Sequence, residues 1–128
     1  MKDFYLKGTP KTPHIKFDPE NNVFEISGRS IPENSIEFYQ PVIDWLDTYL
    51  SSPQSSTVLE IKLEYFNTSS SKCLVEIFRR MEKLYKNGNE ARIKWFYEEE
   101  DEDMQESGED FKGIIRMPID MIVFDNER

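Results

Sequence analysis

The sequence predicts a mixed α/β fold: one β-sheet with helices mainly on one side, in the order ββαβαβ(α)β. Three observations carry this. Two short alternating stretches surround a Pro-Asn turn near the N-terminus, two further alternating strands lie at 57–65 and 91–97, and the segments before each of these show apolar residues at helical spacing. Strands alternating with helices after an initial hairpin imply parallel strands joined by right-handed crossovers. The charged faces of 57–65 and 91–97 leave one side of that sheet only partly covered. With 128 residues, 38% AVILMFWYC and 13% aromatics, the chain supports one hydrophobic core and falls short of two, so a single domain over 1–128 is expected.

The elements follow in order. His14–Asp18 and Val23–Ser27 alternate around Pro19-Glu20-Asn21-Asn22, residues that favour a turn, and together read as a β-hairpin. Asn34 followed by Glu37 has the spacing of a helix N-cap. From there Ile36, Tyr39, Ile43, Leu46 and Leu50, with Phe38, Val42, Trp45 and Tyr49 beside them, form a broad apolar face. Pro41 interrupts it, and a kink or a short opening turn before a main helix from Pro41 is expected. The next strand, 57–65, turns Leu59, Ile61, Leu63 and Tyr65 to one side and ends at Phe66-Asn67. Leu74, Ile77, Phe78, Met81, Leu84 and Tyr85 define a second helix that stops at Asn87-Gly88. Ala91, Ile93, Trp95 and Tyr97 mark another strand, an acidic segment follows as helix or loop, and IDMIVF at 119–124 closes as a last strand.

Charged residues make up 32% of the chain and the net charge is -9. Nine of the 25 acidic residues fall in 98–110, and the other 16 balance the 16 basic ones, so one segment carries the whole imbalance. Such a chain repels a phosphate backbone, and nucleic acid is excluded as a partner. The acidic run is no EF-hand: counted from Asp101, the sixth position is Glu106 where that loop requires Gly. It reads as a solvated segment leading into an acidic helix. No stretch reaches the roughly 20 apolar residues of a membrane span, and the N-terminus lacks a signal-peptide core, so no membrane association and a cytoplasmic location are expected. One cysteine, Cys73, and one histidine, His14, provide neither a disulfide nor a Cys/His metal site. No metal and no cofactor are expected.

The most unusual stretch is FNTSSSK at 66–72, a hydroxyl-rich string between a strand end and a helix start. A helix N-terminus stabilises an anion, whether a bound phosphate or a phosphoryl group on Ser or Thr. Plain N-capping needs only one of these side chains. Ser69-x-x-Lys72 has the spacing of a serine nucleophile and lysine base, but the KTG and SDN partner motifs are missing. Asn67-Thr68-Ser69 fits a glycosylation sequon that a chain without a secretion signal does not present to the transferase. No GxxxxGK[ST] or GxGxxG occurs. Cys73, placed in the first turn of the second helix, has either a dipole-lowered pKa or the role of a small buried hydrophobe. His14 has no partner at a telling spacing, and no catalytic acid-base pair emerges. Most aromatics belong to the core, while Phe66 and Phe96 fall on the polar faces of their strands as candidate contact residues.

PENS at 32–35, VIDW at 42–45 and NTSS at 67–70, in this order over nearly the full length, resemble the SiaC family of bacterial regulatory phosphoproteins. That family is similar in fold to STAS domains, the architecture of anti-sigma-factor antagonists, and the strand and helix order above agrees with it. The resemblance implies a non-enzymatic partner-switching protein. In that family a dedicated protein kinase phosphorylates a threonine within the NTSS motif, a PPM-type phosphatase removes the phosphate, and the unphosphorylated form binds and activates a diguanylate cyclase. On this sequence the phosphoacceptor is Thr68, and Asn67, Ser69 and Ser70 are its surroundings. Glu33, Asn34 and Ser35 join the partner-binding set from their place at a neighbouring helix start. The acidic run at 98–103 belongs to none of these motifs. The alternative is a STAS-like module that binds a small anion or nucleotide at the helix N-terminus. Without a long heptad seam the free chain is expected to be a monomer.

Overall fold

A computed structural model describes residues 1–124; the last four positions of the 1–128 domain expectation lie outside the described residues. The elements are β1 (Phe4–Leu6), β2 (His14–Asp18), β3 (Val23–Ser30), α1 (Ser35–Tyr49), β4 (Ser56–Phe66), α2 (Thr68–Lys86), β5 (Glu90–Tyr97), α3 (Glu102–Ile114) and β6 (Ile119–Val123). They form one six-stranded sheet in sequence order: β1, β2 and β3 pair antiparallel, and β3 through β6 pair parallel. Each crossover steps to the next strand in the same direction, and crossovers of one hand then stack α1, α2 and α3 on a single face. The covered face carries Ile15, Phe17, Phe24, Ile26, Leu59, Ile61, Ile93 and Trp95, all buried. Its opposite face is half-exposed and polar, with Lys62 ion-paired to Glu60 and Glu25 and lying 5.0 Å from the centre of the Phe96 ring.

The mixed α/β architecture is the expected one, with an extra strand. β1 escapes the sequence analysis because three residues are too few to show alternation; its register, Phe4 opposite Phe17 and Leu6 opposite Ile15, is set by the neighbour it covers. The turn at 19–22 is a 3-10 helix capped by Asp18 and closed by Asn22 at φ 55, a left-handed conformation that Asn tolerates. α1 is continuous from Ser35, so the main helix does not begin at Pro41. Pro41 lies on the exposed side, where water can solvate the Glu37 carbonyl that its missing amide leaves unbonded. α2 ends as its Gly implies: Gly88 at φ 96 donates to Tyr85 O and Asn89 to Leu84 O. Tyr85, expected on the apolar face, is 45% exposed. The acidic segment resolves into a loop at 98–100 and then α3, whose N-cap Asp101 and first-turn Glu102 and Asp103 face the positive end of the helix dipole.

A register shift changes the end of β4. Gly28 at φ 100 pairs with Leu63, but Arg29 pairs with Tyr65, so Glu64 is an extra residue and the alternation inverts. Tyr65, predicted inward, is 51% exposed beneath the Arg29 guanidinium at 6.0 Å. Phe66, predicted outward, packs against Trp95 and Phe111. Phe96 does lie on the open face, as its strand position predicts.

One buried carboxylate holds α2 to the turn before β6. Glu82, on α2, accepts the Arg116 amide at 2.6 Å and the Arg79 guanidinium at 3.2 Å. The Arg116 bond and the neighbouring cations hold the Glu82 carboxyl below its ordinary value of 4.5, against the opposing effect of burial. A carboxyl with a depressed folded pKa contributes stability above that ordinary value and loses it as pH falls through the folded pKa. Glu82→Gln is therefore expected to unfold at lower urea than the parent at pH 7, with the gap narrowing as pH drops below 4.5. A gap of constant size across that range would refute the assignment.

Candidate functional site

The parallel strands β3 and β4 end side by side, and the helices α1 and α2 begin just beyond them. The Asn67 amide donates to Ser30 O at 3.0 Å, joining the two strand ends. Asn67 Oδ1 then caps α2 through the Ser70 amide at 2.9 Å, and Asn34 Oδ1 caps α1 through the Glu37 amide at 3.0 Å. Carboxyl ends of parallel strands, with helix N-termini over them, are where α/β sheets place their sites.

Behind the surface lies a hydroxyl network. The Ser30 hydroxyl donates to Ser70 Oγ at 2.8 Å, and Ser70 Oγ returns its proton to Ser30 O at 3.0 Å. With both protons committed, the 2.7 Å contact between Tyr39 and Ser30 requires the phenol to donate. Burial pushes the Tyr39 hydroxyl up to about 12, so it keeps that proton at neutral pH. Ser35 Oγ lies 2.7 Å from Ser69 Oγ, and Ser69 in turn donates to Asn67 Oδ1 at 3.3 Å. Among the described residues no buried side-chain nitrogen or oxygen lacks a hydrogen-bond partner. The two helix starts are thereby fastened to each other and to the sheet.

Thr68 differs from its neighbours. It is the first residue of α2, exposed, and its hydroxyl bonds to no described residue. Ser69 and Ser70 are engaged as above, and Ser71 is half-buried. Lys72, one turn on from Thr68, is exposed and pairs with no described residue. Among the described residues no base is hydrogen-bonded to Thr68 or Ser69, and the partners of Ser69 are Ser35 and Asn67. Among the described residues no group of three or more His, Cys, Asp or Glu side chains is placed to hold a metal ion.

The sequence-predicted residues gather here. Asn67, Thr68, Ser69 and Ser70 form the start of α2, and Glu33, Asn34 and Ser35 reach it through the Ser35 to Ser69 bond. Glu33, Asn34, Thr68 and Ser69 are exposed; Ser35 and Ser70 are buried. Sequence reasoning missed Ser30 and Tyr39, which come from β3 and mid-α1 and carry no local signal. It also misplaced Cys73. Cys73 is the sixth helical residue, beyond the first turn, and its Sγ donates to Ser35 O at 3.5 Å. Burial raises its thiol pKa, which removes the dipole-activated reading. The cap has a testable consequence: Asn67→Ala is expected to lower stability by about 1 kcal/mol, measured by urea unfolding, because the Ser70 amide loses its acceptor. An unchanged midpoint would show that water replaces the cap at no cost.

The strand ends and helix starts thus make a small mixed sheet with a fastened, hydroxyl-bearing edge. The chain belongs to the SiaC family: the family model for the SiaC family regulatory phosphoprotein matches residues 6–124. An uncharacterized protein of Pseudomonas aeruginosa strain UCBPP-PA14 is 33% identical over 118 residues, 92% of this chain and 94% of that one. The crystal structure of apo-SiaC from Pseudomonas aeruginosa superposes with a TM-score of 0.89 at 31% identity, covering 96% of this chain and 100% of the other. A chain in the crystal structure of the diguanylate cyclase SiaD in complex with its activator SiaC, from the same species, matches at TM-score 0.89 and 31% identity over 95% of this chain and 100% of that chain. The chain is thus a member of a family of regulatory phosphoproteins. Among the described residues no helix is long and apolar enough to cross a membrane.

Proposed function

We propose that this chain is a partner-switching regulator controlled by reversible phosphorylation of Thr68, and that its unphosphorylated form binds and activates a diguanylate cyclase. The observation that carries the reading is the free, exposed Thr68 hydroxyl at the first position of α2, beside serines that are already committed. A protein kinase transfers the phosphoryl group to Thr68 Oγ1 and a PPM-type phosphatase hydrolyses it. The group adds about -1.5 to -2 charge, which the helix N-terminus and Lys72 tolerate. A partner docked on the same edge does not. Glu33, Asn34, Asn67 and Ser69 present the contact edge, while the buried Ser35 and Ser70 act by holding its shape. The cycle runs in the cytoplasm with a monomeric free chain, no nucleic acid and no membrane.

The test is site-resolved phosphopeptide mass spectrometry on the protein from its native cells, with Thr68→Ala alongside. Phosphate on Thr68 that vanishes in the variant is the expected result. Full coverage of residues 66–72 without phosphate, over several growth conditions, would defeat the proposal.

A further inference from the structure

The helical face of α1 predicts a buried Ile36, yet Ile36 is 72% exposed, the most exposed large apolar side chain of the described residues. It stands between two surface recesses. One, of about 320 Å3, runs between α1 and α2 and is lined by Ile36, Ile43, Cys73 and Lys72 among others. The other, of about 570 Å3, lies on the far side of Ile36 along Asn34, Glu37 and Pro41. Ile36 follows Ser35, whose hydroxyl bonds Ser69 at 2.7 Å, so this ridge is continuous with the Thr68 edge.

The charges around the inner recess are unevenly satisfied. At its far end Arg80 is paired with Glu76 at 2.7 Å and Asp47 at 2.9 Å. At the near end Lys72 has no partner among the described residues, and it sits one turn from Thr68 on the same helix. The apolar ridge has an unpaired cation, Lys72, on its inner side and the carboxylates of Glu37 and Asp44 on its outer side, and so complements an amphipathic helix whose apolar stripe carries a carboxylate on the edge facing Lys72.

We propose that Ile36 and Lys72 form the anchor for such a helix of the diguanylate cyclase, with Ile36 inserted between its apolar side chains and Lys72 paired to its carboxylate. This rests on the effector reading above. It also deepens the switch: a phosphoryl group on Thr68 competes for Lys72 in cis, so phosphorylation removes the cation that the effector needs and places negative charge beside the effector's own.

Each diguanylate cyclase encoded by the same genome is purified and titrated by calorimetry against the parent chain, Ile36→Ala, Ile36→Glu, Lys72→Gln and Tyr85→Ala, the last at the opposite end of α2. The expected result is that a cyclase binding the parent binds Ile36→Glu at least about thirtyfold more weakly and Lys72→Gln about tenfold more weakly, with Tyr85→Ala unchanged. Melting temperatures of Ile36→Ala and Lys72→Gln should match the parent, because both side chains are exposed. Parent-like binding by both Ile36 variants overturns the anchor while leaving the effector reading in place. No cyclase binding the parent overturns both.

Discussion

Under the proposed switch, chain phosphorylated on Thr68 is expected to bind the diguanylate cyclase at least about a hundredfold more weakly than unmodified chain, a loss of about 2.8 kcal/mol at 1.4 kcal/mol per tenfold. The magnitude follows from where the group lands. Like charges brought together in an interface cost several kcal/mol, and a dianion must also be desolvated if a partner covers it. The surroundings add to this. On the other side of the β4 end, Glu64, Asp101 and Asp103 line a recess with Tyr65 and Phe66, so the edge is already acidic there. Thr68→Glu, with about half the charge, should lose less binding than the phosphoprotein. Thr68→Ala should bind as the parent does, since the hydroxyl it removes bonds to no described residue. Folding should be unaffected in all three, because Thr68 is exposed with its hydroxyl bonded to no described residue, and the first position of a helix accepts the negative charge of the other two forms. Equal affinity of phosphorylated and unmodified chains in titration calorimetry would end the switch model.

Much of this was legible in the sequence because it is local. The hairpin, the strands at 57–65 and 91–97, the helix ending at Asn87-Gly88 and the cap at Asn34 all depend on periodicities and residue types within a few positions. The NTSS stretch was legible as the start of α2 for the same reason. What stayed hidden is tertiary. β1 exists because β2 offers it an edge. Tyr65 and Phe66 exchange faces because Gly28, nearly forty residues earlier, adopts φ 100 and shifts the pairing, a signal absent from the strand's own alternation. Ser30 and Tyr39 complete the hydroxyl network from positions that no motif links to Ser70. Ile36 is apolar at helical spacing, and only the absence of a covering element distinguishes it from Tyr39 three residues on.

Gly108 is the position where local reasoning gives the wrong sign. It lies inside α3, and replacing a mid-helix glycine by alanine ordinarily stabilises by about 1 kcal/mol. Here a Cβ would sit 2.6 Å from Trp95 Cδ1 and 2.7 Å from Met121 Cε. Met121 ends in a flexible methyl and can yield. Trp95 cannot, because it is fully buried, its Nε1 donates to Met104 O at 2.9 Å, and Phe66, Phe78 and Phe111 pack around its ring. The helix must therefore lift from the sheet, which strains the same Met104 bond and loosens the contact of Phe111 with Phe78. Overpacking of this kind costs about 1–3 kcal/mol, enough to outweigh the propensity gain. Gly108→Ala is thus expected to lower the urea midpoint, whereas Gly113→Ala, in the same helix with nothing within 4 Å of its added Cβ, should raise or preserve it. If both variants were stabilised alike, α3 would not be seated on Trp95 through its glycine.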